Sequence, residues 1–304
     1  MADIAMRFHK DMLVCTDSVR PTLRRQGSDV DDDFEMMLLI EEDSIQDVYR
    51  VEKATNAQCM VVESKDLLPS KLAYRNLVDR LPELAKSALA IVAECKPQHI
   101  LVELGLTGLP LDPSSKTSLK ENRDQYCRAA RAFEAAGEFD GYLLTGFDNT
   151  TILKCALMGL RMVTDKPVFA TVKVDGDGVL SKGGESLEDA ISVMAEFGAS
   201  VAGFETAVGP EGTLALAKRA ISACDLPVMV VLEVNKRDKR QGYPTEENPY
   251  FDPNQMFDVA LALRAAGVQF LRASGDVSPA YTGGLAACLM GLSVNDVRGI
   301  LDEE

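Results

Sequence analysis

Eight acidic side chains stand at the ends of short apolar runs: Asp17, Glu63, Glu103, Asp148, Asp175, Glu205, Glu233 and Asp276. Lys173 and Arg272 are the basic residues in similar positions. Carboxylates gathered in one concave site repel one another unless a cation stands among them. Lys173, Arg272, an oxygen-bound metal or a cationic substrate could be that cation. A lysine on a strand can also form a Schiff base, but nothing else in the chain supports aldol chemistry, and an ion pair is the default. Taken singly, each of these residues is more often a solvated or salt-bridged rim residue. It is the group that points to a site.

The elements that must position them recur as strand, turn and helix. In the stretch from Val201 to Asn235, an apolar run ends at Glu205, and Gly209-Pro210 opens a helix carrying Leu214, Leu216, Ala217, Ala220 and Ile221. Pro227 stops that helix, and a second apolar run, Val228 to Leu232, closes on Glu233. Proline suits the first turn of a helix, and a run apolar on both faces suits a parallel strand covered by helices. Further runs are Met12–Cys15, Ala57–Val62, His99–Val102, Tyr142–Leu144, Val168–Val174 and Val268–Leu271, which makes eight. Helical patterns over 71–94 (interrupted at Pro82), 119–136, 150–161, 185–197 and 254–266 separate them, and the remainder reads as mainly helical. Residues 28–43 read as a solvated acidic loop leading into a helix. Eight parallel strand–helix units without an internal linker predict a single α/β domain over 1–304, a closed (β/α)8 TIM barrel. A doubly wound open sheet is the alternative, but it would favour a glycine-rich phosphate turn after an early strand, and Asp17-Ser-Val-Arg-Pro is not one. In a barrel the working face lies at the carboxyl ends of the strands, where the acids stand.

Composition narrows the partners. The chain has 304 residues, 46% of them hydrophobic, and a formal net charge of −15. That charge disfavours nucleic acid, whose phosphates require lysine and arginine, and equally an anionic membrane surface. No apolar run approaches the length of a membrane span, and the start lacks a secretory signal pattern. The seven cysteines form no CxxC or CC pair, which suggests reduced thiols and a cytoplasmic location. GxGxxG, Walker A, HExxH and GxSxG patterns are absent. The Asp175-Gly-Asp-Gly segment lacks the later ligands of a calcium loop and reads as a turn.

From about Met12 to Met290 the chain resembles the homocysteine S-methyltransferase family, the homocysteine-binding barrel of methionine synthases and betaine–homocysteine methyltransferases. Asp17, Thr22 and Gly27 stand where that family has its DGAMGT-like opening. Glu63-Ser-Lys-Asp stands at its ETNTF, and Ser70-Lys71 at the NR that follows. Phe147, Lys154, Ala156 and Gly159 follow its ETF…KAA..G segment. Pro167 to Gly178 is similar to its fifth strand and hairpin. Gly209-Pro210-Glu211 matches its GPE, Asn235 the Asn of its KPNAG, and the loop to Phe257 the segment before its last helix pair.

The resemblance implies a zinc ion held by three thiolates, but the matching positions here read Thr206, Ser274 and Gly275. The two histidines, His9 and His99, precede strands, toward the opposite end of the barrel. The family's glutamate for the homocysteine amine matches Thr145, so only Asp17 of that amine-binding pair remains. Zinc lowers the thiol pKa in the family, and a neutral thiol is a poor nucleophile near pH 7. The resemblance therefore implies a methyltransferase that moves a methyl group to or from a small molecule or a corrinoid or methyl-donor protein without zinc. The alternatives are a lyase, hydrolase or aldolase using Lys173, and a binding homologue without catalysis. The expected catalytic residues are Asp17, Glu205 and Lys173. Glu63, Glu103, Thr145, Phe147, Thr206, Glu233, Asn235, Arg272 and Ser274 are expected, with Asp17, to contact substrate. The favoured ligand is cationic or amine-bearing, held by Asp17, Glu63, Glu205 and Glu233, with Phe147 and Phe204 as aromatic faces. A homo-oligomer is left open.

Overall fold

The computed structural model describes residues 3–236 and 240–289. Eight strands, β1 Leu13–Val14, β2 Cys59–Val62, β3 His99–Leu104, β4 Gly141–Phe147, β5 Val168–Lys173, β6 Val201–Thr206, β7 Val228–Val234 and β8 Phe270–Gly275, pair in parallel in the order β1-β8-β7-β6-β5-β4-β3-β2. A parallel bridge between Cys15 and Cys59 joins the two edges. Because β1 is so short, side chains complete this seam: Thr16 Oγ1 accepts the Val61 amide at 2.9 Å, and Gln58 Oε1 accepts the Val14 amide at 2.9 Å. The result is the expected (β/α)8 barrel.

Strand alternation separates two apolar layers. One set of residues, among them Leu13, Cys15, Cys59, Val61, Leu101, Leu143, Phe169, Val201, Met229, Val231 and Phe270, packs inside the barrel. The alternate residues, such as Val14, Met60, Val102, Ala170, Phe204 and Leu232, pack against the helices. That is the period-2 geometry of a strand. At the amino-terminal end, the 3₁₀ turn Ile4–Arg7 brings Phe8 edge-on to Phe169 and Phe270, with both ring centroids at 6.0 Å.

Local chemistry sets the helix ends. Asn149 caps Thr150–Arg161, Ser115 caps Lys116–Ala136, and Ser186 with Asp189 forms a capping box on Leu187–Glu196. Each side-chain oxygen satisfies an amide that the helix leaves free. Pro210 begins Pro210–Ala223. The stretch 71–94 resolves into Pro69–Ala73, a 3₁₀ turn Val78–Arg80 and a helix Leu81–Glu94, and Pro82 lies in the first turn of that last helix rather than breaking one. The acidic segment 28–43 is loop up to Asp33 and then helix Phe34–Ile40. The Asp175 segment is a turn, with Asp175 Oδ1 accepting the amides of Asp177 and Val179 at 3.0 and 2.9 Å. The terminal helical pattern is described only through Pro279–Ala287, and its remainder lies outside the described residues. No described helix is long and apolar enough to cross a membrane.

Candidate active site

At the carboxyl ends of the strands the inward alternation continues from apolar to polar residues: Glu103 after Leu101, Thr145 after Leu143, Glu205 two beyond Gly203, Glu233 after Val231, and Arg272 then Ser274 after Phe270. All of them line one cavity of about 750 Å³. Its floor is a buried ion pair. Arg272 donates to both Glu103 oxygens at 2.9 Å, and its Nε donates to the Thr16 carbonyl at 3.1 Å. Thr145 adds a 2.6 Å hydrogen bond to Glu103. Burial alone would raise the Glu103 pKa, but the charge and hydrogen bonds of Arg272, with Lys65 and Thr145, outweigh it and hold the carboxyl below its usual range. Burial likewise opposes the Arg272 charge, and Glu103 more than compensates. A two-pronged guanidinium–carboxylate pair is a rigid, charge-assisted contact, so this floor is a fixed platform.

One wall is less neutralised. Glu205 accepts a 2.5 Å hydrogen bond from Ser274. Its pKa is raised, first by burial and then by the neighbouring Glu233, against the lowering effects of Ser274, Lys173 and Arg272. Glu233 itself pairs with Lys173 at 2.6 Å, so Lys173 is an ion-pair partner at the rim, as the default reading has it. Lys173 and Thr206 line a neighbouring cavity of about 680 Å³ that shares Glu233 with the first.

Several expected site residues lie elsewhere. Asp17 is buried and does not line the mouth; its Oδ1 accepts the Ala273 amide at 3.1 Å, and its Oδ2 has no hydrogen-bond partner. Burial, then the charge of Glu52, raises its pKa well above the ordinary aspartate value. Glu63 is buried and held by Arg20 at 3.1 Å and by Ser18. Phe147 moves from the mouth to the core. The register between β4 and β5 shifts between Leu144 and Phe147, where Gly146 takes a φ of 75°, and this bulge reverses the alternation. Phe147 therefore packs on Tyr126 in the sheet–helix layer, and Phe204 is fully buried in the same layer, so neither offers a face to a ligand. Asn235 holds the loop after β7, donating to the Glu247 carbonyl at 2.5 Å and accepting from Asn248 at 2.9 Å. Of the other rim acids, Asp148 pairs with Lys182 at 2.7 Å and Asp276 with Arg25 at 2.9 Å.

The residues at the implied thiolate positions do not fit a zinc–thiolate site. The Thr206 hydroxyl accepts the Val208 amide at 3.3 Å, and the Ser274 hydroxyl is committed to Glu205. Gly275 has a φ of 85°, and a Cβ there would stand 2.2 Å from the Val234 carbonyl oxygen, so the backbone has no room for cysteine. Hydroxyls are weak zinc ligands beside thiolate or imidazole. Cys15 and Cys59 face each other inside the barrel's apolar layer, where hydrogen bonding to Cys15 and burial raise the Cys59 pKa.

Part of the lining comes from residues that the strand-end pattern does not mark. Arg20, Lys65, Lys71 and Arg75 all face the cavity. Lys65 and Lys71 lie inside the matched Glu63-Ser-Lys-Asp and Ser70-Lys71 segments, which was the available signal. For Arg20 there was none, because its carboxylates are distant in sequence.

A comparison with known protein families matches residues 20–272 to Homocysteine S-methyltransferase. Among solved structures, the homocysteine methyltransferase MmuM from Escherichia coli in its metallated form aligns with a TM-score of 0.75 at 16% identity, covering 91% of this chain and 96% of that one. Its oxidized form gives 0.73 at 18% identity with the same coverage. The carboxyl transferase domain from Rhizobium etli pyruvate carboxylase with 3-bromopyruvate gives 0.52 at 14% identity, covering 96% of this chain and 46% of that one. At these identities the structures share the barrel, and shared chemistry does not follow. None of the curated proteins matches the chain in sequence.

Proposed function

Because the chain belongs to the homocysteine S-methyltransferase family, we propose that it transfers a methyl group to or from a small molecule in the barrel mouth, without the zinc–thiolate site that the resemblance implies. The observation that carries this reading is the Glu205–Ser274 pair: a carboxyl with a raised pKa, beside the residues that stand at the thiolate positions. A raised pKa brings a carboxyl closer to the range in which it can take and hold a proton during turnover.

The acceptor is an uncharged nucleophile that still carries a transferable proton, preferably an amine. The donor carries its methyl group on a positively charged nitrogen or on a corrinoid partner protein. The acceptor lone pair attacks the methyl carbon, the bond between donor and methyl breaks with its electrons left on the donor, and the acceptor's proton passes to Glu205. Ser274 orients the Glu205 carboxyl by its hydrogen bond. The Arg272–Glu103–Thr145 platform fixes the floor on which the acceptor sits. Glu233 supplies a second polar contact, with Lys173 balancing its charge. Asp17 and Glu63 act from behind the lining, Asp17 by holding β8 through the Ala273 amide and Glu63 by holding Arg20. A Schiff-base lyase is less well supported, because the Lys173 ammonium is committed to Glu233 at 2.6 Å.

The test offers methylated amines and a methylated corrinoid protein with amine and thiol acceptors, and reads methylated product by mass spectrometry. Glu205→Gln is expected to lower kcat about 10²–10⁴-fold, the usual effect of losing a general base. Failure of every donor–acceptor pair, with ligands bound but not turned over, would leave a binding protein instead. An unchanged rate in Glu205→Gln would remove Glu205 from the chemistry.

A further inference from the structure

The charged residues lining the mouth are balanced in number but not in pairing. Six are acidic, Asp31, Glu35, Asp66, Glu103, Glu205 and Glu233, and six are basic, Arg20, Arg24, Lys65, Lys71, Arg75 and Arg272. Arg272 is taken by Glu103 and Arg24 by Asp31. Arg20 reaches Asp66 at 3.2 Å as well as Glu63, and Arg75 pairs with Glu35. Glu233 is neutralised from outside this lining by Lys173. Two cations are left over, Lys65 and Lys71. Both are half-buried in the cavity wall, and among the described residues neither has a carboxylate partner.

Their positions follow from the fold. Lys65 lies in the loop after β2, where its carbonyl accepts the Gly105 amide at 3.0 Å and so ties that loop to the end of β3. Lys71 belongs to the short helix Pro69–Ala73 and reaches across the loop after β3; a Cβ built on Gly108 would stand 3.2 Å from its Nζ. Lys65 also acts electrostatically on Glu103 at the floor. In a chain of net charge −15, two ammonium groups without a carboxylate partner on one side of the mouth make that wall locally positive. A cleft of one sign concentrates ligands of the other, and a half-buried ammonium without a partner gains most from an anion that completes its hydrogen bonds.

We propose that Lys65 and Lys71 form an anion-binding wall of the mouth, which selects a substrate bearing a carboxylate or phosphate group. This rests on the reading of the mouth as the substrate site and adds a class of ligand to it: the anionic group lies against the two lysines, and the reacting end points toward Glu205. The amine preference and the anion preference then address opposite walls of one cavity.

Calorimetry with malonate and with inorganic pyrophosphate at low ionic strength tests this directly. The wild-type protein is expected to bind at least one probe at one site per chain, more weakly as salt is added. Lys65→Met/Lys71→Met is expected to weaken that binding at least tenfold, and Lys65→Gln or Lys71→Gln alone at least threefold. Lys65→Arg/Lys71→Arg should stay within about threefold of wild type, which separates loss of charge from loss of fold. Lys218→Met, on the helix Pro210–Ala223, should bind as wild type does. Binding of malonate alone assigns a carboxylate, binding of pyrophosphate alone a phosphate ester, and binding of both an undiscriminating anion wall. The proposal is overturned if neither probe binds, if the double Met variant binds as tightly as wild type, or if Lys218→Met weakens binding equally. Anion binding without methyl transfer would sink the proposed activity and leave the anion wall standing. Methyl transfer without anion binding would do the reverse.

Discussion

Substituting Glu52 tests the electrostatics beneath the mouth. Glu52 lies in the helix Glu42–Ala54, fully buried, with neither carboxyl oxygen hydrogen-bonded to another side chain. Asp17 and Thr282 are its neighbours. Burial raises its pKa from 4.5 to about 7, against the lowering effects of Thr282, Arg272 and the Asp17 backbone. The fold therefore prefers the protonated form. Stability from this group is fully present below pH 4.5, falls as pH rises from there through about 7, and is absent above. One pKa unit corresponds to about 1.4 kcal/mol, so the shift makes ionised Glu52 unfavourable by on the order of 3 kcal/mol. Glu52→Gln keeps the shape and removes the titration. It should match wild type within about 1 kcal/mol at pH 5 and exceed it by about 2–3 kcal/mol at pH 8, and the gain is increased because the Glu52 charge also raises the Asp17 pKa. Urea denaturation followed by circular dichroism at pH 5, 6, 7 and 8 measures the difference, in which titrating groups other than Asp17 cancel to first order. A gap of constant size across this range, or one that shrinks as pH rises, would refute the reasoning.

Other substitutions probe the platform and the strand ends. Arg272→Met leaves Glu103 buried without its partner and should cost about 3–5 kcal/mol, seen as a large fall in Tm. Thr145→Val removes one hydrogen bond to that charged carboxylate and should cost about 1.5–3 kcal/mol by urea denaturation, with Arg272 still in place. Gly275→Cys forces a side chain against the Val234 carbonyl at a left-handed φ and should destabilise by more than about 1 kcal/mol; the triple variant Thr206→Cys/Ser274→Cys/Gly275→Cys should not retain stoichiometric zinc after dialysis, as elemental analysis would show. If Glu205 is the proton acceptor, kcat should rise with pH through its raised pKa, and Ser274→Ala should shift that limb upward, because Ser274 lowers the Glu205 pKa.

Part of the rim was legible in the sequence: of the eight strand-end acids, Glu103, Glu205 and Glu233 line the mouth. Each apolar run ending on a polar residue marks a strand that leaves the apolar interior, and parallel strands bring all those ends to one side. With a period of two, Glu103, Thr145, Glu205, Glu233, Arg272 and Ser274 follow their inward-facing predecessors into the mouth. These are local relations, carried by side chains two positions apart on one strand. Tertiary structure alone decided which charge met which. Arg272 and Glu103 are separated by 169 residues, and Arg20 and Glu63 by 43. The pairings left Lys65 and Lys71 over and placed Asp17 beside Glu52 rather than at the surface. A single bulge at Gly146 turned Phe147 into the core although its position in the sequence pointed to the mouth. Alternation depends only on the backbone of one strand, so the order of residues along the chain reveals it. Charge pairing depends on distances across a closed barrel, and those exist only once the chain has folded.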